Sequence, residues 1–173
     1  MHKKVEKWFI IGIPILVLTS FLFHSLYEWT NHNFIIGLLF PHNESIFAHM
    51  KLVLWPIPIY FMIIYFCKRK EIDSLDRFFT AMLVSLVVSL ITIPMLYYFY
   101  TGAFGFDSKI IDIAIGVISV ILGMLAGRCV YKYSSGINYL IAIAFTIFLF
   151  IAFAILTIYP PDFPIFLDKQ FTK

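Results

Sequence analysis

Apolar residues run along this chain in five long blocks, neither alternating at period two nor confined to one helical face. The blocks extend approximately from Trp8 to Tyr27, Ser45 to Phe66, Phe78 to Tyr98, Ile110 to Tyr131 and Ile137 to Tyr159. Each holds about 20 residues, which is what a helix rising about 1.5 Å per residue needs to cross a hydrocarbon core of ~30 Å. A transmembrane barrel does not fit, because its strands alternate lipid-facing and lumen-facing positions over about ten residues. The pattern predicts an all-α, polytopic integral membrane bundle of five helices, forming a single transmembrane domain over residues 1–173.

The interruptions of that pattern carry the detail. Pro14, Pro56, Pro58 and Pro94 fall inside the first three helices, where each removes a backbone donor and crowds the preceding turn. Kinks are expected there, and the freed carbonyls need donors from neighbouring helices. Ser85, Ser89 and Thr92 on the third helix offer hydroxyls for this. On the fourth helix, Gly116, Ser119, Gly123 and Gly127 share a face that permits close backbone approach. On the first, Ser20, His24, Tyr27, Glu28 and Asn31 form one polar stripe that lipid would not tolerate, so it should turn into the bundle. Asn43 is the expected N-cap of the second helix, after which Ser45 and His49 share one face and Glu44 and Lys51 another.

Composition strengthens the membrane reading and removes other classes. The chain is 61% hydrophobic and 13% charged, against roughly 45–50% and about 25% in soluble domains. Nine of the 13 Lys and Arg residues lie at the N-terminus (Lys3, Lys4, Lys7), the second connection (Lys68, Arg69, Lys70, Arg77) and the fourth (Arg128, Lys132). The positive-inside bias then places the N-terminus in the cytoplasm and the C-terminus outside the cell membrane. Topology accounts for the net charge of +3, so membrane lipids are the expected partners, no nucleic acid is expected, and a homo-oligomer stays open. The first block follows a basic leader but lacks a small-x-small cleavage site, which reads as an uncleaved helix. Cys67 and Cys129 fall at expected cytoplasmic helix ends, where thiols stay reduced.

With this orientation, most ionisable side chains outside the basic loops gather at the outer end. Asp112 lies one turn into the fourth helix, on the Gly116 face. A carboxylate within the membrane costs roughly 2.5–3.5 kcal/mol on insertion scales, so a partner is expected, with Lys51, His24 or His49 as candidates; Lys51 could instead snorkel to the headgroups. A metal-assisted hydrolase would use His24, Glu28 and His49 as ligands for Zn²⁺, Glu44 or Asp112 as a further ligand or general base, and Tyr27, Ser45 and Lys51 as the rest of a polar pocket. The alternatives are a site that binds or passes an ion or small solute, and a hydrogen-bonded network that only fixes the helices.

The set His24-x-x-Tyr27-Glu28-Trp29, Pro41-x-Asn43-Glu44-Ser45-x-Phe47-x-His49-x-Lys51, Tyr98-x-Tyr100-Thr101-Gly102 and Tyr159-Pro160-Pro161 with Asp168 resembles a family of short bacterial multipass membrane proteins of unknown function. The similarity runs along nearly the whole chain. It implies the same membrane architecture and draws attention to the same residues, without implying an activity.

Overall fold

The computed structural model describes residues 3–168, among which every regular element is helical. His2, Lys169 and Lys173 lie outside the described residues. In chain order the helices are α1 (Lys3–His24), α2 (Leu26–Trp29), α3 (Phe34–Leu39), α4 (Ile46–Leu54), α5 (Pro56–Lys68), α6 (Leu75–Phe104), α7 (Lys109–Tyr133) and α8 (Tyr139–Ile158). Five stretches are long and apolar enough to cross a membrane: Val5–His24, Ile46–Glu71, Leu75–Phe104, Lys109–Tyr133 and Tyr139–Ile158. The second of these joins α4 and α5.

The third span is the hub of the bundle. In its most apolar window α6 is 56% buried, whereas α8 is only 17% buried and turns most of its surface outward. The tightest seam lies between α6 and α7, where glycine on one helix meets serine on the other. A Cβ on Gly123 would collide with Ser89 Oγ and the Ser85 carbonyl, and one on Gly127 with Ser85 Oγ. Ser89 Oγ donates to the Ser119 carbonyl at 2.9 Å across this seam. These are the close backbone approach and interhelical hydroxyl bonding that replace hydrophobic driving force inside lipid.

The second span is divided at Trp55, immediately before Pro56, while α1 and α6 continue through Pro14 and Pro94. Pro56 has no N–H to give to the carbonyl four residues earlier, so Leu52 O loses its helical partner. Ser20 Oγ of α1 donates to it at 2.9 Å, sharing its proton with Leu16 O of its own helix, also at 2.9 Å. Trp55 stacks on Phe150 of α8 with ring centres 4.1 Å apart. Phe47 stacks on Phe153 at 4.7 Å and lies 4.5 Å from Phe166, which fixes the start of α4.

The first span ends earlier than the polar stripe suggests. Regular helix stops at His24, and α2 ends at Trp29. Asn31 and His32 then take left-handed backbone conformations, with φ of 54° and 60°, a region that Asn and His enter more readily than most residues. Asn33 caps α3, its Oδ1 accepting from Ile35 N at 2.9 Å. The apolar run Phe34–Leu39 thereby folds back toward α8 rather than extending outward. The expected stripe is therefore split: Ser20 and His24 stay on α1, and Tyr27, Glu28 and Asn31 leave it.

Candidate functional site

The site is built where α4 begins. Ser45, rather than Asn43, is the N-cap: its Oγ accepts from Ala48 N at 3.1 Å. Asn43 acts one step further back, its Oδ1 accepting from Ser45 Oγ at 2.8 Å and lying 3.3 Å from Ser45 N. Both residue types cap well; here the Asn side chain closes a turn on the residue two ahead and so hands the cap to Ser45. One turn along α4, His49 Nδ1 lies 2.8 Å from the Ser45 carbonyl oxygen.

That contact settles which nitrogen of His49 carries hydrogen. A carbonyl oxygen only accepts, so Nδ1 is the N–H and Nε2 of the neutral ring presents a lone pair. Nε2 lies 3.5 Å from Glu44 Oε2, so a proton on Nε2 would pair the imidazolium with the carboxylate, and a metal ion there would take the lone pair of the neutral ring. His24, at the end of α1, brings its Nε2 within 4.0 Å of Glu44 Oε1, and the two imidazole centres are 5.4 Å apart. One ligand atom from each of His24, Glu44 and His49 lies within 4.8 Å of the others. Zinc bonds of about 2.0–2.1 Å in a tetrahedral site hold ligand atoms roughly 3.3–3.5 Å apart. The His49–Glu44 pair stands at about that spacing, 3.5 Å, whereas His24 stands 4.0 Å from Glu44.

Below the cluster is a cavity of about 300 Å³ between α1, α4, α6 and α7. His24, Glu44, His49, Lys109 and Asp112 line it together with the apolar side chains of Val17, Leu52, Val53, Ile93, Val117 and Val120. Asp112 accepts from Tyr100 Oη at 2.7 Å, and the same hydroxyl lies 2.8 Å from Asp107 Oδ1. Asp112 therefore has a buried phenol as a partner, while Lys51, which the sequence offered as a candidate together with His24 and His49, gives its Nζ to the Gly37 carbonyl. Gly116 lines the cavity with nothing within 4 Å of the position a Cβ would take. Ser119, Gly123 and Gly127 of that small-residue face pack against α6.

Glu28 is exposed on α2 and neither joins the cluster nor lines the cavity. Glu44 takes the carboxylate position that the sequence had given to Glu28, because the chain leaves the helical path directly after His24. Ser45 belongs to the site as the cap and as the acceptor that orients His49. Tyr27 and Lys51 lie elsewhere: Tyr27 packs edge-on against His32 at 5.0 Å and His42 at 6.3 Å. Lys51 is fully buried and does not snorkel. Its Nζ donates to the Gly37 carbonyl at 2.9 Å and lies 3.5 Å from His42 Nδ1, which ties the returning α3 to α4. Burial, and then the Lys51 charge, push the His42 imidazole below its ordinary value, against a smaller upward pull from Asp168. His42 is thus held toward the neutral form that accepts from Lys51. Tyr100 and Asp107 were not foreseen as parts of the site, although Tyr98-x-Tyr100 stood out in the family resemblance.

These features define an all-α protein with five helices long and apolar enough to cross a membrane and, at one end of the bundle, a histidine–carboxylate cluster over an apolar cavity. The chain belongs to the family described as a family of unknown function (DUF6512), whose model matches residues 1–173. No curated protein and no solved structure matches it.

Proposed function

We propose that this protein is a metal-dependent hydrolase of the cell membrane, with its polar site on the extracytoplasmic side. The observation that carries the reading is the convergence of His24, Glu44 and His49, whose ligand atoms lie within 4.8 Å of one another. His24, Glu44 and His49 would hold Zn²⁺ as a two-imidazole, one-carboxylate set with a fourth position open. A bound zinc would polarise a carbonyl and acidify a neighbouring water. The Ser45 carbonyl fixes the His49 tautomer and raises its basicity, the role of an outer-shell partner. Asp112, across the cavity wall, accepts a proton from water and returns it to the leaving group, held in place by Tyr100 Oη.

An ion path would need polar groups further into the bundle, and there the cavity walls are Val17, Leu52, Ile93 and Val120. The hydrolase reading is tested by metal analysis of detergent-purified protein prepared without chelator. One zinc per chain is expected in the wild type and in Glu28→Ala, and close to none in His24→Ala or His49→Ala, with all three variants still folded. A metal-free wild type overturns the proposal.

A further inference from the structure

We infer that the cavity beneath the cluster receives the single acyl chain of a membrane amphiphile, entering sideways from the lipid, with its polar head at His24, Glu44 and His49. This names the substrate class of the proposed hydrolase and rests on that reading for the chemistry; the seating of the chain does not depend on a metal.

The cavity is polar at one end and apolar along its length. On α1 it runs from His24 to Val17, and on α7 from Asp112 to Val120, so at about 1.5 Å per residue it reaches roughly 10–12 Å along the helix axes. Because these helices are spans, that depth points along the membrane normal. A leaflet lipid has the same orientation, head at the surface and chain inward. Phe21 and Ile113 line the cavity while staying 50% and 53% exposed on the outer face of α1 and α7, so the wall between these helices is bordered by lipid-facing side chains. An apolar lining gains dispersion contacts from the apolar group that occupies it, and in a bilayer the nearest such group is an acyl chain. The volume of about 300 Å³ lies at the small end of ligand pockets, which favours one chain over the two of a phospholipid.

An amphiphile seated this way brings the bond between chain and head to Glu44. Hydrolysis of an ester or amide there adds water across it: oxygen goes to the acyl carbon and a proton to the departing oxygen or nitrogen, giving a fatty acid and an alcohol or amine. Lys109, also on the cavity wall, supplies a cation for an anionic product or head.

The test uses phosphatidylcholine nanodiscs carrying a trace of a diazirine-bearing decanoyl monoacylglycerol, whose chain matches the depth of the cavity, with crosslinked peptides mapped by mass spectrometry. Label is expected on Val17, Leu52, Val117 and Val120. Gly116→Leu projects into the open space beside Gly116 and should reduce that label about tenfold while zinc stays stoichiometric. His24→Ala should lose zinc and keep the label, so failure of the metal reading and failure of this inference are separate results. Label confined in the wild type to the outward-facing Leu18 and Ile118, or cavity label unchanged in a folded Gly116→Leu, overturns the inference. Were Gly116→Leu to misfold, the wild-type map alone decides.

Discussion

Ser20 shows how one hydroxyl sets the geometry around the candidate site. It fills the carbonyl that Pro56 leaves open on α4, and one turn later α1 presents His24. Hydrogen bonds inside membranes are worth about 0.6–2 kcal/mol in measured cases, so Ser20→Ala should lower unfolding stability in detergent by about 1 kcal/mol. The sharper measurement is a double-mutant cycle. Pro56→Ala restores the N–H that Leu52 O lacks, so removing Ser20 Oγ in that background should cost markedly less, and an equal cost in both backgrounds would show that the contact carries nothing. Lys51 makes a comparable single-residue connection in the other direction. Lys51→Met keeps the stem buried but removes the donor to Gly37 O, so amide exchange in Ile35–Leu39 should quicken while the α6–α7 seam stays protected.

Helix ends decided which parts of the site could be read from sequence. The five spans were legible because apolar length is a property of each segment alone. The prolines were less so: Pro14, Pro56, Pro58 and Pro94 look alike in the sequence, and of these only Pro56 divides its span. The end of α1 was not: the spacing from Ser20 to Asn31 continues helical periodicity through Ser25, where the helix breaks, and the left-handed Asn31 and His32 with the Asn33 cap turn the chain again only further on. That break exchanged Glu28 for Glu44. The sequence pointed to Asn43 as the cap, and that Ser45 takes it instead depended on a turn between them. Burial of Lys51 required knowing that Phe34–Leu39 folds back over it. The cap is testable: Ser45→Ala should cost about 1 kcal/mol and reduce zinc affinity by loosening His49, whereas Asn43→Ala should cost less because Ser45 Oγ still reaches Ala48 N. On the α6–α7 seam, Gly123→Leu should prevent stable folding, since its Cβ meets the Ser85 backbone, while Ile121→Leu should be nearly silent. Equal melting temperatures for the last two variants would remove the close-approach argument.

The whole bundle separates a basic end from a histidine–carboxylate end. Lys68, Arg69 and Lys70 at the close of α5, Arg77 at the start of α6, and Arg128 and Lys132 at the close of α7 share one end with Glu6, which pairs with Arg128 at 3.4 Å. His24, Glu44, His49 and Asp112 share the other. Because the charge bias acts on which end is translocated, the two ends should lie in different compartments, and the chemistry at the cluster should draw substrate from the side opposite Lys70. A reporter inserted beside Lys70 should therefore be active only in the cytoplasm, and one fused after Lys173 only outside. Reporters that both reach the same side would contradict five crossings. Both working with their sides exchanged would keep the five spans but move the cluster to the cytoplasmic leaflet, where the diazirine lipid would have to be supplied from within.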